Sequence, residues 1–136
     1  MTARDKIHRA VRKALEKEGW TITHDPLSIT FLSTDLAIDL GAEKLTGAEV
    51  SRIAIEIKSF VAPSAVFEMH QVVGQFLNYE QALEETGSDR TLYLAVPAGI
   101  WRSFFKTLYA QAIIRRRGIR LIVVKPKEEV IIEWIK

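Results

Sequence analysis

The sequence predicts a mixed α/β domain, with antiparallel hairpins in its first half and helix–strand alternation in its second. Three observations carry that prediction. Three segments repeat apolar residues at spacings of three and four, the period of a helix with one buried face. Between and after them lie short runs rich in β-branched and aromatic residues, bounded by Gly, Pro, Asp or Ser. Their order is α, then three or four β, then α-β-α-β-β.

Residues 4–18 open the chain as a helix, with Ile7, Val11, Ala14 and Leu15 on one stripe. Thr2 suits its cap, Asp5 its positive end, and Gly19 its stop. Trp20–Thr23 reads as a strand, Asp25-Pro26 as a turn, Ile29–Leu32 as a strand, Ser33–Asp35 as a turn and Leu36–Leu40 as a strand. Residues 41–52 fit strand ends or a turn, and Ile53–Lys58 is a strand. Pro63 suits a helix opening. The helix runs from Ala65 to about Glu85, with Val66, Met69, Val73, Phe76, Leu77 and Leu83 roughly on one face, and Gly87 closes it. Thr91–Val96 is an apolar strand stopped by Pro97. Trp101, Phe104, Phe105, Leu108, Ala112 and Ile113 predict a third helix ending at Gly118. Ile119–Val124 and Val130–Ile135 are the last strands, joined by a turn at Pro126.

A length of 136 residues fits one domain, residues 1–136, with a single sizeable core. A formal charge of +2 excludes a histone-like cationic binder and an acidic tail protein. The absence of cysteine excludes disulfides, thiolate zinc sites and a cysteine nucleophile. No apolar run approaches the roughly 18 residues of a membrane span, and the first residues lack the apolar centre of a signal peptide. A cytoplasmic protein without membrane contact is the expectation.

The strand IAIEIKSF carries the most chemistry. Alternation places Ile53, Ile55 and Ile57 on one face and Ala54, Glu56 and Lys58 on the other. Taken alone, it reads most simply as a solvated face with a Glu–Lys pair. Asp39, at the end of a preceding strand, changes that balance. If the two strands pair, Asp39 and Glu56 approach each other, and two close carboxylates repel unless a cation lies between them. Mg²⁺ prefers such oxygen ligands and lowers the pKa of a bound water, while Lys58 would place that water or stabilise charge on phosphorus. On the following helix Gln71, Gln75 and Tyr79 recur every four residues, with Asn78 close by. Neutral amides and a phenol suit a phosphate backbone or a base edge, although a polar helix stripe is more often simply solvated.

Asp39, then Glu56-x-Lys58 on a strand, then Gln75-x-x-x-Tyr79 on a helix resembles the PD-(D/E)xK nuclease superfamily, whose core runs α-β-β-β-α-β. The Gln-x-x-x-Tyr element resembles that of its RecB-like branch. The stretches KALEKEGWTITHDPL, IDLGAEKL, IAIEIKSF, PSAVFEMHQVVGQFLNYEQAL, TLYLAVP and IRLIVVKP resemble the XisH family over nearly the whole chain. XisH proteins are controlling factors for excision of the fdxN element in heterocyst-forming cyanobacteria. They act with a site-specific recombinase and a companion protein, XisI.

The resemblance implies a restriction-endonuclease-like fold followed by α-β-β, and an Mg²⁺- or Mn²⁺-dependent endonuclease acting on DNA. It makes Asp39 and Glu56 metal ligands and Lys58 the catalytic lysine. Gln75 and Tyr79, with Gln71 on the same stripe, would position the nucleic-acid backbone or the lysine. An acid from the first helix, Glu16 or alternatively Glu18, would join the site. Ile38 stands where the superfamily signature has proline, which removes no ligand. A homodimer is plausible by analogy with other nucleases of the fold. The alternative function is a non-catalytic accessory that keeps the nuclease fold to bind DNA or a partner.

Other features read as structural. His8, His24 and His70 lack metal-ligand spacing, and Trp101, Phe104 and Phe105 suit a core or an oligomer contact. Two short segments, residues 4–17 and 115–127, hold 12 of the 19 lysines and arginines. If they share one surface they offer sequence-independent phosphate contacts; if not, each is a solvated face.

Overall fold

The computed structural model describes all 136 residues. Helix α1 (Ala3–Lys17) begins in a reciprocal cap: the Asp5 N–H donates to Thr2 Oγ1 at 3.0 Å, and the Thr2 N–H to Asp5 Oδ2 at 3.3 Å. It ends at Gly19, whose φ of 92° suits a residue without Cβ. Five strands follow, one more than the sequence suggested: β1 (Thr21–His24), β2 (Leu27–Phe31), β3 (Thr34–Ile38), β4 (Leu40–Thr46) and β5 (Glu49–Ile57). Then come α2 (Ala65–Glu85), β6 (Thr91–Pro97), the short α3 (Ala98–Ile100), α4 (Leu108–Arg117), β7 (Leu121–Lys125) and β8 (Val130–Ile135). No helix is long and apolar enough to cross a membrane.

Six strands form one sheet in the order β1-β4-β5-β6-β7-β8, and β2 and β3 form a separate hairpin. β5, β6 and β7 are parallel neighbours, while the flanking pairs are antiparallel. The fold is therefore the mixed α/β one expected. With the β2–β3 hairpin set aside, the main elements run α-β-β-β-α-β, then α-β-β. Two successive right-handed crossovers stepping in one direction place their helices on the same face. Accordingly α2 and α4 cover one face, over a core that includes Phe76, Leu94 and Phe105. Helix α1 covers the other, over Leu40, Ile53, Ile55 and Ile122.

Three local readings differ from the structure. The run Leu36–Leu40 is not one strand. Ile38 packs with the α2 core and Leu40 with the α1 core, so the chain changes sheets at Asp39. The helix expected from Trp101 is broken. A wide π-type turn spans Trp101–Phe105, and α4 starts afresh at Thr107, whose Oγ1 caps Ala110 at 3.2 Å. The aromatic spacing nevertheless identified core residues, since Trp101 and Phe105 are buried. On α2, Val66 and Phe67 are exposed, and Val72 takes the buried position instead.

The β2–β3 connection consists of Leu32 and Ser33, at φ 48° and 66°. Both need left-handed backbone, as a two-residue type I′ hairpin turn requires, and neither has the glycine or asparagine that favours it. Leu32 is also 82% exposed. The double variant Leu32→Asn, Ser33→Gly should therefore raise stability by about 1 kcal/mol. Thermal melting should show a rise of a few degrees.

The basic segments meet only in part. Lys17 donates to the Glu128 carbonyl at 2.9 Å, and Arg9 lies 4.0 Å from Glu129, so α1 and the Lys125–Glu129 turn adjoin. Arg115, Arg116 and Arg117 end α4 on the other face, and Arg120 is bound to Glu80 at 2.6 Å. His8 and Arg12 both pair with Asp25. Burial alone would raise the Asp25 carboxyl, but those two hydrogen bonds outweigh it and hold it below its ordinary range.

Candidate active site

β4 and β5 pair antiparallel, with Leu40 opposite Ile55, and Asp39 immediately precedes that register. The pairing brings Asp39 beside Glu56. The Asp39 N–H donates to Glu56 Oε1 at 3.2 Å, and the Ile57 N–H to Asp39 Oδ2 at 2.8 Å. Glu56 is thus tied to the Asp39 backbone and Asp39 to the backbone of Ile57, and neither carboxylate can turn away without losing a bond.

Alternation along β5 sends Ile55 and Ile57 into the α1 core and Glu56 to the opposite side, towards α2. There Glu56 is only 6% exposed, the one charged residue buried in the protein. Burial first, then the Asp39 charge, pushes its carboxyl up to about 8, and Lys58 counters this only in small part. Below that value Glu56 keeps its proton, which a bound cation would have to displace.

A cavity of about 270 Å³ opens over these groups, and Lys58 lines it beside Asp39 and Glu56. Its far wall is the segment Ser59–Val61, turned in by Phe60 at a left-handed φ of 55°. Such a backbone costs a bulky residue about 1 kcal/mol or more. The Phe60 ring offsets that cost by packing edge-on to Phe105 at 5.2 Å.

Helix α2 brings Gln75 to the cavity. Gln75 Nε2 donates to the Tyr79 hydroxyl at 3.0 Å. Burial, then the Glu56 and Asp39 charges, raise the Tyr79 phenol, against the Gln75 hydrogen bond. Tyr79 thus feels the acid pair and stays protonated, able to donate. Neither Tyr79 nor Gln71 lines the cavity, and Gln71 and Asn78 are exposed.

The structure does not bring Glu16 to this site. Glu16 is exposed near the C-terminal end of α1, whereas Arg4 and Ile7 from the opposite end line the cavity. Twelve residues of helix separate Glu16 from Arg4, roughly 18 Å. Glu18 is occupied elsewhere, accepting the Trp134 indole N–H at 3.0 Å. Arg4 and Glu68 are the charged cavity residues that the sequence reading missed. Glu68 accepts the Ala62 N–H at 3.3 Å and precedes Gln75 by two helical turns, a spacing that could have drawn attention to it. Nothing local marks Arg4.

The donor set suits a hard divalent cation. Asp39 and Glu56 offer oxygen, and a cation between them would offset both the burial and the Asp39 charge that raise the Glu56 carboxyl. No third His, Asp or Glu joins them in a compact cluster. A small cation that keeps several waters fits two carboxylates better than one that needs a full protein cage.

The sequence profile described as XisH protein matches residues 1–132. A solved XisH family protein from Nostoc punctiforme PCC 73102 is 38% identical, with a TM-score of 0.90, over 97% of this chain and 100% of that one. A solved fdxN element excision controlling factor protein from Anabaena variabilis is 40% identical, also with a TM-score of 0.90, over 98% of this chain and 100% of that one. No curated protein matches. A match over nearly all residues, with two solved relatives superposing end to end, settles the family: the chain belongs to the XisH family.

Proposed function

We propose that this chain is a controlling factor for excision of a DNA element, and that it works through metal-dependent phosphodiester hydrolysis of the PD-(D/E)xK type. The observation that carries the reading is the buried Glu56 tied to Asp39, with Lys58 lining the same cavity. Structural ion pairs rarely leave one buried carboxyl pressed against another. Here two carboxylates are held together at a cost in stability, which is usual where function demands it.

Asp39 and Glu56 would hold an Mg²⁺ or Mn²⁺ ion. When bound, the ion lowers the pKa of water and polarises a phosphoryl oxygen. The protein's own groups do the rest. Lys58 supplies a positive charge beside the reacting phosphate. Gln75 offers a neutral donor to a non-bridging oxygen, Tyr79 orients it through their hydrogen bond, and Arg4, from the basic face of α1, offers a phosphate contact. A recombinase and an XisI-like companion are the partners this function requires.

The test is an assay on duplex, single-stranded, nicked and branched DNA with each metal. Wild type should cut at least one of these substrates. Lys58→Met, which keeps the stem and removes the charge, should cut it about 100-fold more slowly. DNA binding with no turnover on any substrate would instead identify the accessory role.

A further inference from the structure

A cavity of about 510 Å³ lies on the opposite face of the sheet from the acid pair, by the C-terminal end of α1. That volume is within the range of small-molecule sites. Its wall carries three aromatic residues. Trp20 and Trp134 pack with ring centroids 5.9 Å apart, and Tyr93 stands edge-on to Trp134 at 5.1 Å.

Tyr93 is only 6% exposed, yet its hydroxyl has no hydrogen-bond partner. Every fully enclosed polar side-chain atom in the protein has one, so this hydroxyl reaches open space. The space that Tyr93 lines is this cavity. A buried tyrosine normally finds a partner for its O–H. Ser51 and Thr91 add two hydroxyls to the same wall.

The charges around the cavity are unevenly used. Glu18 takes the Trp134 indole N–H, and Asp89 holds Arg52 at 2.9 Å. Lys44 and Lys136 have no carboxylate within 4.0 Å, and the Lys44 ammonium lies 5.8 Å from the Trp20 ring centre. Asp89 is therefore spent on Arg52, Glu18 is held by a neutral donor, and the lysines have no acid partner.

We propose that this cavity binds an aromatic anion of the nucleoside monophosphate class. The aromatic wall flanks a flat ring, the Tyr93, Ser51 and Thr91 hydroxyls meet its polar edge or the sugar, and Lys44 takes the phosphate. Neither a bare phosphate nor an uncharged base uses all three features.

Calorimetric titration of the full chain with dAMP and dTMP tests this, with inorganic phosphate and deoxyadenosine as separate arms. A monophosphate should bind with a sub-millimolar Kd, about ten-fold or more tighter than either part. Tyr93→Phe and Lys44→Met should each weaken it about ten-fold with an unchanged melting temperature. Asp39→Asn should leave it unchanged. No saturable heat up to about 10 mM would overturn the proposal. So would binding that survives both cavity variants, binding lost in Asp39→Asn, or binding confined to oligonucleotides.

Discussion

Replacing Glu56 by glutamine should make the metal-free protein more stable at pH 8, although it removes the one buried charged residue from the site's centre. The Glu56 carboxyl, ordinarily near 4.5, stands at about 8 in the folded chain because it is buried beside Asp39. Between those two values the unfolded chain has released a proton that the folded chain still holds. Wild-type stability must therefore fall as pH rises through that window, by about 1.4 kcal/mol per unit, and level off above it. The whole window is worth on the order of 3–5 kcal/mol, or roughly 10 °C in melting temperature. Glutamine keeps the Oε1 that accepts the Asp39 N–H and does not titrate. Melting curves from pH 5 to about 8.5 should show the wild type declining relative to the variant. Added Mn²⁺ at pH 8 should restore the wild type and leave the variant unmoved, since a ligand of the folded state stabilises only what it binds. Parallel curves would mean that Glu56 is ionised and already neutralised, and would remove the argument for a cation.

What the sequence made legible were features decided within a few residues or by a strict period. The Thr2–Asp5 cap, the Gly19 stop and the alternation that separates Glu56 from its neighbouring isoleucines are of this kind. The approach of Asp39 to Glu56 followed from one assumption, that their strands pair, and the β4–β5 register meets it. Gln75 and Tyr79 are spaced one turn apart and are joined by a hydrogen bond.

The misreadings arose where tertiary placement decides. An apolar stripe tells which face of α1 is buried, but not which end lies over the ends of the strands. Glu16 was an acid at the wrong end, and Arg4, at the right end, looked like one more surface cation. The segment Ile38–Leu40 looked continuous because both flanking residues are apolar, yet they enter different cores. The break before α4 depends on Thr107 competing with the helix for backbone bonds: its Oγ1 donates to the Phe104 carbonyl at 2.7 Å and accepts from Ala110. Apolar spacing alone does not reveal that competition.

Two substitutions at Asp39 should separate its structural role from its electrostatic one. Asp39 Oδ2 accepts the Ile57 N–H at 2.8 Å, and alanine removes both that bond and the charge. Asp39→Ala should lose about 1–2 kcal/mol from the missing acceptor, partly offset by relief of Glu56. Asp39→Asn keeps an acceptor and loses only the charge. It should melt at or above the wild-type temperature near pH 8, because the second cause of the raised Glu56 carboxyl has gone. Both variants should bind Mn²⁺ about 100-fold more weakly by calorimetry, a result that needs no substrate. If the wild type cuts DNA, both should cut it about 10³-fold more slowly, since several kcal/mol of transition-state stabilisation depend on the cation. An Asp39→Asn protein that melts normally, binds Mn²⁺ as the wild type does and keeps its activity would show that the acid pair holds the strands together and nothing more.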